Sequence, residues 1–412
     1  MDGREMGYTM AQTAHRPMLL ALCGLASILV ASGGQAQAQN AMSATGSSDV
    51  PTLTPSAAST NMDLGVGGMD MTMPGGHATA PADVQGAMMI PAGKFMVGYS
   101  YMTMDMANNY IGDSTVSPQD IVTSVPSTTA MSSMSGMSGM MSGNEDYRIV
   151  PTSMTAQMHM LKAMYGVTDW LNLMVMATYE QKWMRMTTFS GMMGSKVLGT
   201  SNAQTSGFGD TSIGTLWRIY QDQTNHVHFN LGLSLPTGST TETVRMLSPA
   251  GTYMTMRASY GMQLGTGTYD LMPGITYTGQ SHAWSWGAAY RSRFALGDNS
   301  HGYHYGALNE LTGWGGYSWL PGVTTTVEID GSIQGRIHGA DPEISGLMQG
   351  TNPQFYGGKQ LALLGGVEIS GMRFGLKGTQ LAITAGGPVY QNLNGPQLGR
   401  SWQVGVNLGA MF

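Results

Sequence analysis

A transmembrane antiparallel β-barrel is the fold class this sequence predicts, on three observations. Segments of about ten residues alternate apolar and polar positions with a period of two, which puts every second side chain on one face of a strand. The links between these segments alternate long and short. Only 10% of the 412 residues are charged, against roughly 25% in soluble domains, yet after residue 31 no apolar run approaches the length of about 20 that a membrane helix needs. Apolar surface dispersed in alternation, with 59 glycines, is the composition of barrel strands.

The amino end reads as a secretory signal. Residues 18–31 form an apolar core behind His15 and Arg16, and Ala36-Gln37-Ala38 supplies the small-x-small cleavage pattern, so residues 1–38 are assigned to the signal and the mature chain to a start near Gln39. Asp2 and Glu5 offset Arg4, and initiation at Met10 gives a cleaner signal. The single cysteine, Cys23, lies inside this core, and Leu22 stands where a lipoprotein needs a small residue. The exported chain is therefore expected to carry no disulfide and no thiolate chemistry. Residues 39–92, rich in Ser, Thr, Ala, Pro, Gly and Met, read as a disordered periplasmic lead-in. The barrel is assigned to residues 93–412.

About twelve strands are expected, near 94–104, 153–165, 170–187, 205–220, 225–236, 267–279, 283–296, 302–319, 322–336, 359–370, 379–389 and 401–412. Phe95, Val97, Tyr99 and Tyr101 alternate with Met96, Gly98, Ser100 and Met102; Leu171, Leu173 and Val175 alternate with Asn172, Met174 and Met176. In the last segment Trp402, Val404, Val406, Leu408, Ala410 and Phe412 share one face, while Gln403, Gly405 and Asn407 share the other. That segment is expected to pair with the strand at Phe95 and close the sheet without an edge.

Odd links (105–152, 188–204, 237–266, 297–301, 337–358, 390–400) are mostly long, and even links such as 166–169, 221–224, 280–282 and 320–321 are tight. Outer-membrane barrels have short periplasmic turns and longer outer loops, whereas a soluble sandwich has no reason to sort loop length by side. Two links depart from the rule, 297–301 being short and 371–378 long. Trp170, Trp217, Trp284, Trp286, Tyr269, Tyr303, Tyr305, Tyr317, Trp319 and Trp402 lie near strand ends, where interfacial girdles belong.

If the apolar phase faces lipid, Glu180, Lys182, Asp210, Arg218, His226, His228, Asp270, Arg291, Arg293, Glu328, Asp330, Arg336 and Glu368 face the lumen. Both signs are present, which suits either a selectivity lining or a static plug of ion pairs. Twelve strands lie between the eight that side chains fill and the sixteen that leave an open channel. Methionine is the second anomaly, 38 in all. Thioethers suit Cu(I), and Met69, Met71, Met73 and His77, with Met131, Met134, Met137, Met140 and Met141, form two candidate metal-binding segments. Methionine also fills apolar positions, and Met158, Met160, Met164 and Met184 read as wall residues. His159, His226, His228, His304 and Ser234 show no spacing that marks a catalytic nucleophile, and the glycine run from Gly261 to Gly267 precedes no helix, so no enzyme and no cofactor are expected. A net charge of −6, thinly spread, offers no basic surface to nucleic acid.

Several stretches together resemble the meta-pathway phenol-degradation family of outer-membrane proteins. They are Met73-Pro74-Gly75-Gly76-His77, residues 94–102, Tyr165-Gly166-Val167-Thr168-Asp169-Trp170-Leu171, Gly207-Phe208-Gly209-Asp210, residues 233–239, Gly267-Thr268-Tyr269-Asp270 and residues 386–391. The resemblance covers residues 94–412 and implies an outer-membrane channel admitting small aromatic or hydrophobic compounds. The expected function is accordingly passive uptake of such molecules through a charge-lined lumen. The expected partners are outer-membrane lipid, the barrel-assembly machinery and the solute. A Met-rich copper-binding protein anchored by a barrel and a plugged structural barrel are the alternatives.

Overall fold

The computed structural model describes residues 80–82, 84, 86–127 and 146–412. Among these the chain forms β1 (Phe95–Gly112), β2 (Ser114–Val116), α1 (Pro118–Ser124), β3 (Ile149–Thr168), β4 (Leu171–Phe189), β5 (Val197–Phe208), β6 (Thr211–Gln221) and β7 (Asn225–Leu235). There follow β8 (Thr243–Leu247), β9 (Tyr253–Arg257), β10 (Asp270–Ser281), β11 (Trp284–Ala295), β12 (Tyr303–His304), β13 (Leu308–Leu320) and β14 (Val323–Gln334). The last are β15 (His338–Gly339), β16 (Gly358–Ser370) and β17 (Thr379–Met411).

Eleven elements close a ring in the order β1-β3-β4-β6-β7-β10-β11-β13-β14-β16-β17, every neighbour antiparallel, with β17 returning to β1; β2 and β5 extend the same thirteen-stranded sheet. The seam forms where the sequence places it. Tyr99 faces Leu408 and Val97 faces Ala410 across β1 and β17, and Phe95 and Phe412 exchange backbone hydrogen bonds of 3.3 and 2.8 Å.

The alternation sorts side chains by face. Leu161, Leu173, Val175, Ile213, Leu311, Val327 and Ile329 are all more than two-fifths exposed on the outside of the ring. Their neighbours in sequence, including Met160, Asn172, Ser212, Thr312, Thr326 and Glu328, are buried inside it. So large an exposed apolar surface is not that of a soluble monomer. Trp170 lies against Trp217 (ring centroids 5.5 Å apart), and Trp284, Tyr317 and Trp319 make a run of edge contacts at 4.9 and 4.8 Å. These aromatics sit beside the tight turns, where an aromatic belt is expected.

Four expectations are corrected. The ring has eleven continuous elements rather than about twelve strands, because residues 379–389 and 401–412 belong to one unbroken element, β17. Its first arm pairs with β16 and its second with β1. A Cβ added to Gly387 would lie 2.7 Å from the Ser401 carbonyl, so β17 folds back on itself. The link expected at 390–400 is thus strand, and Asn394-Gly395, a tight-hairpin dipeptide, is the signal for it. Second, strand β1 runs on to Gly112 and β5 starts at Val197, within links expected to be loops; alternation of apolar residues ends sooner than backbone pairing does. Third, Tyr303 and Tyr305 are not girdle residues: they belong to a buried aromatic cluster among the long links, with Tyr260 and Tyr356. Fourth, Arg336 lies beyond β14 and is exposed, so it does not line the wall.

The long links carry their own structure at one end of the ring. Strands β8 and β9 pair as a hairpin, β12 pairs with β15, and α1 is capped by a reciprocal Ser117–Asp120 box that buries Ile121 and Val122 against Tyr147, Val150 and Phe189. At the other end, Asp222 closes the turn to β7 by accepting from the backbone of Asn225 and Thr224 and from the Tyr220 hydroxyl. Those bonds, that to Asn225 foremost, hold its carboxyl well below the usual carboxylate range.

Candidate functional site in the lumen

The chain before β1 enters the ring. Residues 80–92 were assigned to the lead-in, yet those described pack against the inner wall. Asn172, fully buried, binds both backbone groups of Ile90: Ile90 N donates to Oδ1 at 2.9 Å and Nδ2 donates to the Ile90 carbonyl at 2.9 Å. His228 Nε2 lies 2.7 Å from the Gly86 carbonyl oxygen, Ala92 N donates to Asp169 Oδ1 at 3.1 Å, and Gly93 N donates to the Gly166 carbonyl at 2.7 Å. Val84 and Ala87 pack on Ala289 and Trp314. An apolar stretch with no partner in solution finds one inside the barrel, and the wall's Asn and His side chains satisfy its backbone.

Beyond Gly86 lies a cavity of about 650 Å³, in the size range of small-molecule sites. One side is thioether: Met102 and Met104 from β1, Met158 from β3, Met174 and Met176 from β4, and Met272 from β10. The other side is charged, with Arg291, Arg293, Glu310, Asp330 and Arg400. Tyr305 and Tyr356, from the long links, bound it at the far end. Tyr305 donates to the Tyr260 carbonyl at 2.6 Å, and Tyr260 and Tyr303 meet edge-on with centroids 4.8 Å apart. Burial raises the Tyr260 hydroxyl and pushes that of Tyr303 up to about 12.

The charged residues fall into pairs and ties. Arg291 is paired with Glu310. Arg293 binds Asp270 at 2.6 Å and lies 3.7 Å from Asp210. Asp210, at the break between β5 and β6, also accepts from Gly238 N (2.9 Å), Thr266 N (2.8 Å) and Thr266 Oγ1 (2.8 Å), so it fastens the 236–269 link to the wall. Glu180 and Lys182 pair at 2.9 Å, and Lys182 Nζ reaches the Gln263 carbonyl of the same link at 2.6 Å. Thr312 donates to Asp330 at 3.1 Å, and Glu328 is 2% exposed. His226 and Arg218 lie on the inner face near His228, and Glu368 faces the inserted segment. Asp210, Asp270 and Arg293 thus meet, as do Glu180 and Lys182; Arg218, His226 and His228 neighbour one another, and Arg291 and Asp330 both line the cavity.

Sequence reasoning missed Lys162, Glu310 and Arg400. Lys162 lies between Met160 and Met164 on the inner phase of β3, with its stem laid across Gly98, so phase alone would have found it. Met69, Met71, Met73, His77, Met131, Met134, Met137, Met140 and Met141 lie outside the described residues.

Fold and lumen define a closed antiparallel β-barrel with an apolar exterior, a polar and thioether interior, and its own amino-terminal segment inserted. No known protein family and no curated protein matches the chain. Among solved structures, an outer membrane channel from Pseudomonas putida F1 is similar at 12% identity, over 80% of this chain and 99% of that one, with a TM-score of 0.48. A Pseudomonas aeruginosa FadL homologue is similar at 10% identity over 82% and 96%, with a TM-score of 0.36. The Ralstonia pickettii toluene transporter is similar at 11% identity over 78% and 90%, with a TM-score of 0.34.

Proposed function

We propose that the protein is an outer-membrane channel for passive passage of small apolar molecules, aromatic ones included, along a lumen with one thioether and one charged wall. The supporting observation is the cavity of about 650 Å³ inside a ring whose exterior is apolar. A thioether wall gives an aromatic or aliphatic body polarisable contacts, and the facing Arg, Glu and Asp side chains solvate a hydroxyl or other polar group on the same molecule. Counting the two arms of β17 separately gives twelve membrane-crossing strands, the even number a barrel with both ends on one side requires. The short turns and the Phe95–Phe412 seam then face the periplasm, after export by the signal assigned to residues 1–38, and the long links face outward. No chemical step is involved.

The inserted segment favours a second reading, a plugged structural barrel. Uptake by liposomes carrying the refolded chain separates the two. Phenol and toluene should enter faster than into empty liposomes, with planar-bilayer conductance changed by Arg291→Ala and Glu328→Ala. Absence of both conductance and solute entry leaves the plugged barrel as the function.

A further inference from the structure

We infer that the short-turn end of the lumen holds a binding site for a soft monovalent cation, Cu(I) or its redox-inert analogue Ag(I), built from the thioethers of Met89, Met96, Met164, Met174 and Met411. This goes beyond the passage of apolar solutes and involves none of the methionines in residues 69–77 or 131–141.

Register carries the inference. Met411 on β17 is directly opposite Met96 on β1, Met96 is opposite Met164 on β3, and Met164 is opposite Met174 on β4. Directly opposed side chains have Cβ atoms about 4.5–5.5 Å apart. Four consecutive ring elements therefore present a thioether at one height on the inner face, and Met89 of the inserted segment packs on the same cluster. Two or three flexible thioethers converging from such a row form a soft, uncharged ligand set of the kind that selects Cu(I) over hard cations.

The methionines are also strictly sorted by face. Strands β1, β3 and β4 carry four methionines each, every one at an even-numbered position, which is the inner face. The outer face of the same strands is apolar as well, but it uses Leu, Val, Tyr, Phe and Trp. On these three strands the thioethers all lie on the interior face. A cavity of about 40 Å³, lined by Met96, Met164 and Met174, adjoins the row; that is room for a water-sized guest. Glu368 and Lys162 line the same cavity, and Glu368 Oε2 is buried with no hydrogen-bond partner among the described residues. Toward the long-loop end a second row repeats the device: Met106, Met154 and Met184 are directly opposed and join Met186, Met246 and Met262 in one cluster. Met102, Met158, Met176 and Met272 line the cavity between the two ends.

The test is anaerobic titration of the full refolded chain with Cu(I) against a chromophoric Cu(I) chelator, repeated with Ag(I). The comparison variant is M96L/M164L/M174L/M411L, which keeps volume and apolarity while removing sulfur. It should bind one equivalent fewer than the unsubstituted chain, and a background with Met131, Met134, Met137, Met140 and Met141 changed to Ser should show the same decrement. X-ray absorption of the metal lost from the variant should be that of sulfur-only coordination. Equal uptake by variant and parent overturns the site, as does nitrogen or oxygen coordination alone. If the fourfold variant fails to refold, M164L/M174L serves: affinity at the site should fall at least tenfold, and unchanged affinity overturns the proposal. Apolar solute entry, measured in M96L/M164L/M411L, which leaves Met174 and the rest of the large cavity's wall in place, should be unaltered, so failure of metal binding and failure of the channel are read separately.

Discussion

Asn172 binds Ile90 through both of that residue's backbone groups, at 2.9 Å each way, and does so fully buried. One side chain thus does for the inserted segment what a neighbouring strand would do in a sheet. Replacing it with alanine strips two buried backbone groups of their partner, a loss of ~2–6 kcal/mol at about 1–3 kcal/mol for each stranded group. Asn172→Ala should therefore loosen residues 86–92, seen as faster limited proteolysis there and higher single-channel conductance. Asn172→Asp, which can accept but not donate, should fall between. Unchanged proteolysis in both variants would show that His228 and Asp169 hold the segment unaided.

Gly287 sits directly opposite Trp314 across β11 and β13, and a Cβ on it would lie 2.2 Å from the indole ring. The indole lies over the glycine and packs in one cluster with Val84 and Ala87 of the inserted segment. Gly287→Ala should push Trp314 toward the inserted segment without touching that segment itself. Intrinsic fluorescence should shift, and overpacking of this kind typically costs about 1–3 kcal/mol of stability, measured by urea unfolding in micelles. A fluorescence spectrum identical to the parent's would mean the ring has room elsewhere.

How much of this was legible in the sequence follows from what periodicity encodes. A period of two reports which face each side chain takes, and the inner and outer faces of β4 could be read from Leu173, Val175, Met174 and Met176 alone. It does not report where backbone pairing ends, so the extensions of β1 to Gly112 and β17 through Asn394 carry no periodic strand signal in the sequence. Nor does it report contacts between a strand and a segment with no periodicity. Residues 80–92 look like a linker because their partners, Asn172, His228 and Trp314, lie 80 to more than 200 positions away. Arg293 and Asp270 could be placed on the inner face by phase, but their meeting with Asp210 depends on the break between β5 and β6, which alternation does not mark.

Asp210 ties the 236–269 link to the ring through three accepted hydrogen bonds and its approach to Arg293. Asp210→Ala leaves the Gly238 and Thr266 amides without that acceptor, a loss of ~2–6 kcal/mol confined to the link. Hydrogen exchange at residues 238 and 264–268 should accelerate at least tenfold while amides of β3 and β4 keep their protection. Asp210→Asn retains an acceptor oxygen and should recover part of the effect. Uniform acceleration over the whole ring would instead make Asp210 a determinant of barrel closure.

The buried tyrosines of the long links make their packing sensitive to alkali. Burial raises the Tyr303 hydroxyl from the ordinary 10 up to about 12 and also raises that of Tyr260. Because the folded pKa lies above the unfolded one, the unfolded link releases its proton first as pH rises. The stabilisation is full below pH 10 and is lost between about 10 and 12. Tyrosinate absorbance should therefore rise in two stages, exposed residues near pH 10 and a cooperative second stage nearer 12, with protease sensitivity of the 296–307 link rising in step with the second. Tyr303→Phe removes the titrating hydroxyl but keeps the ring against Tyr260, and it should shrink the second stage and delay the proteolysis. If the variant's titration overlays the parent's, the alkaline opening belongs to Tyr260 or Tyr356, and the edge-on contact between Tyr260 and Tyr303 is not what keeps the link closed.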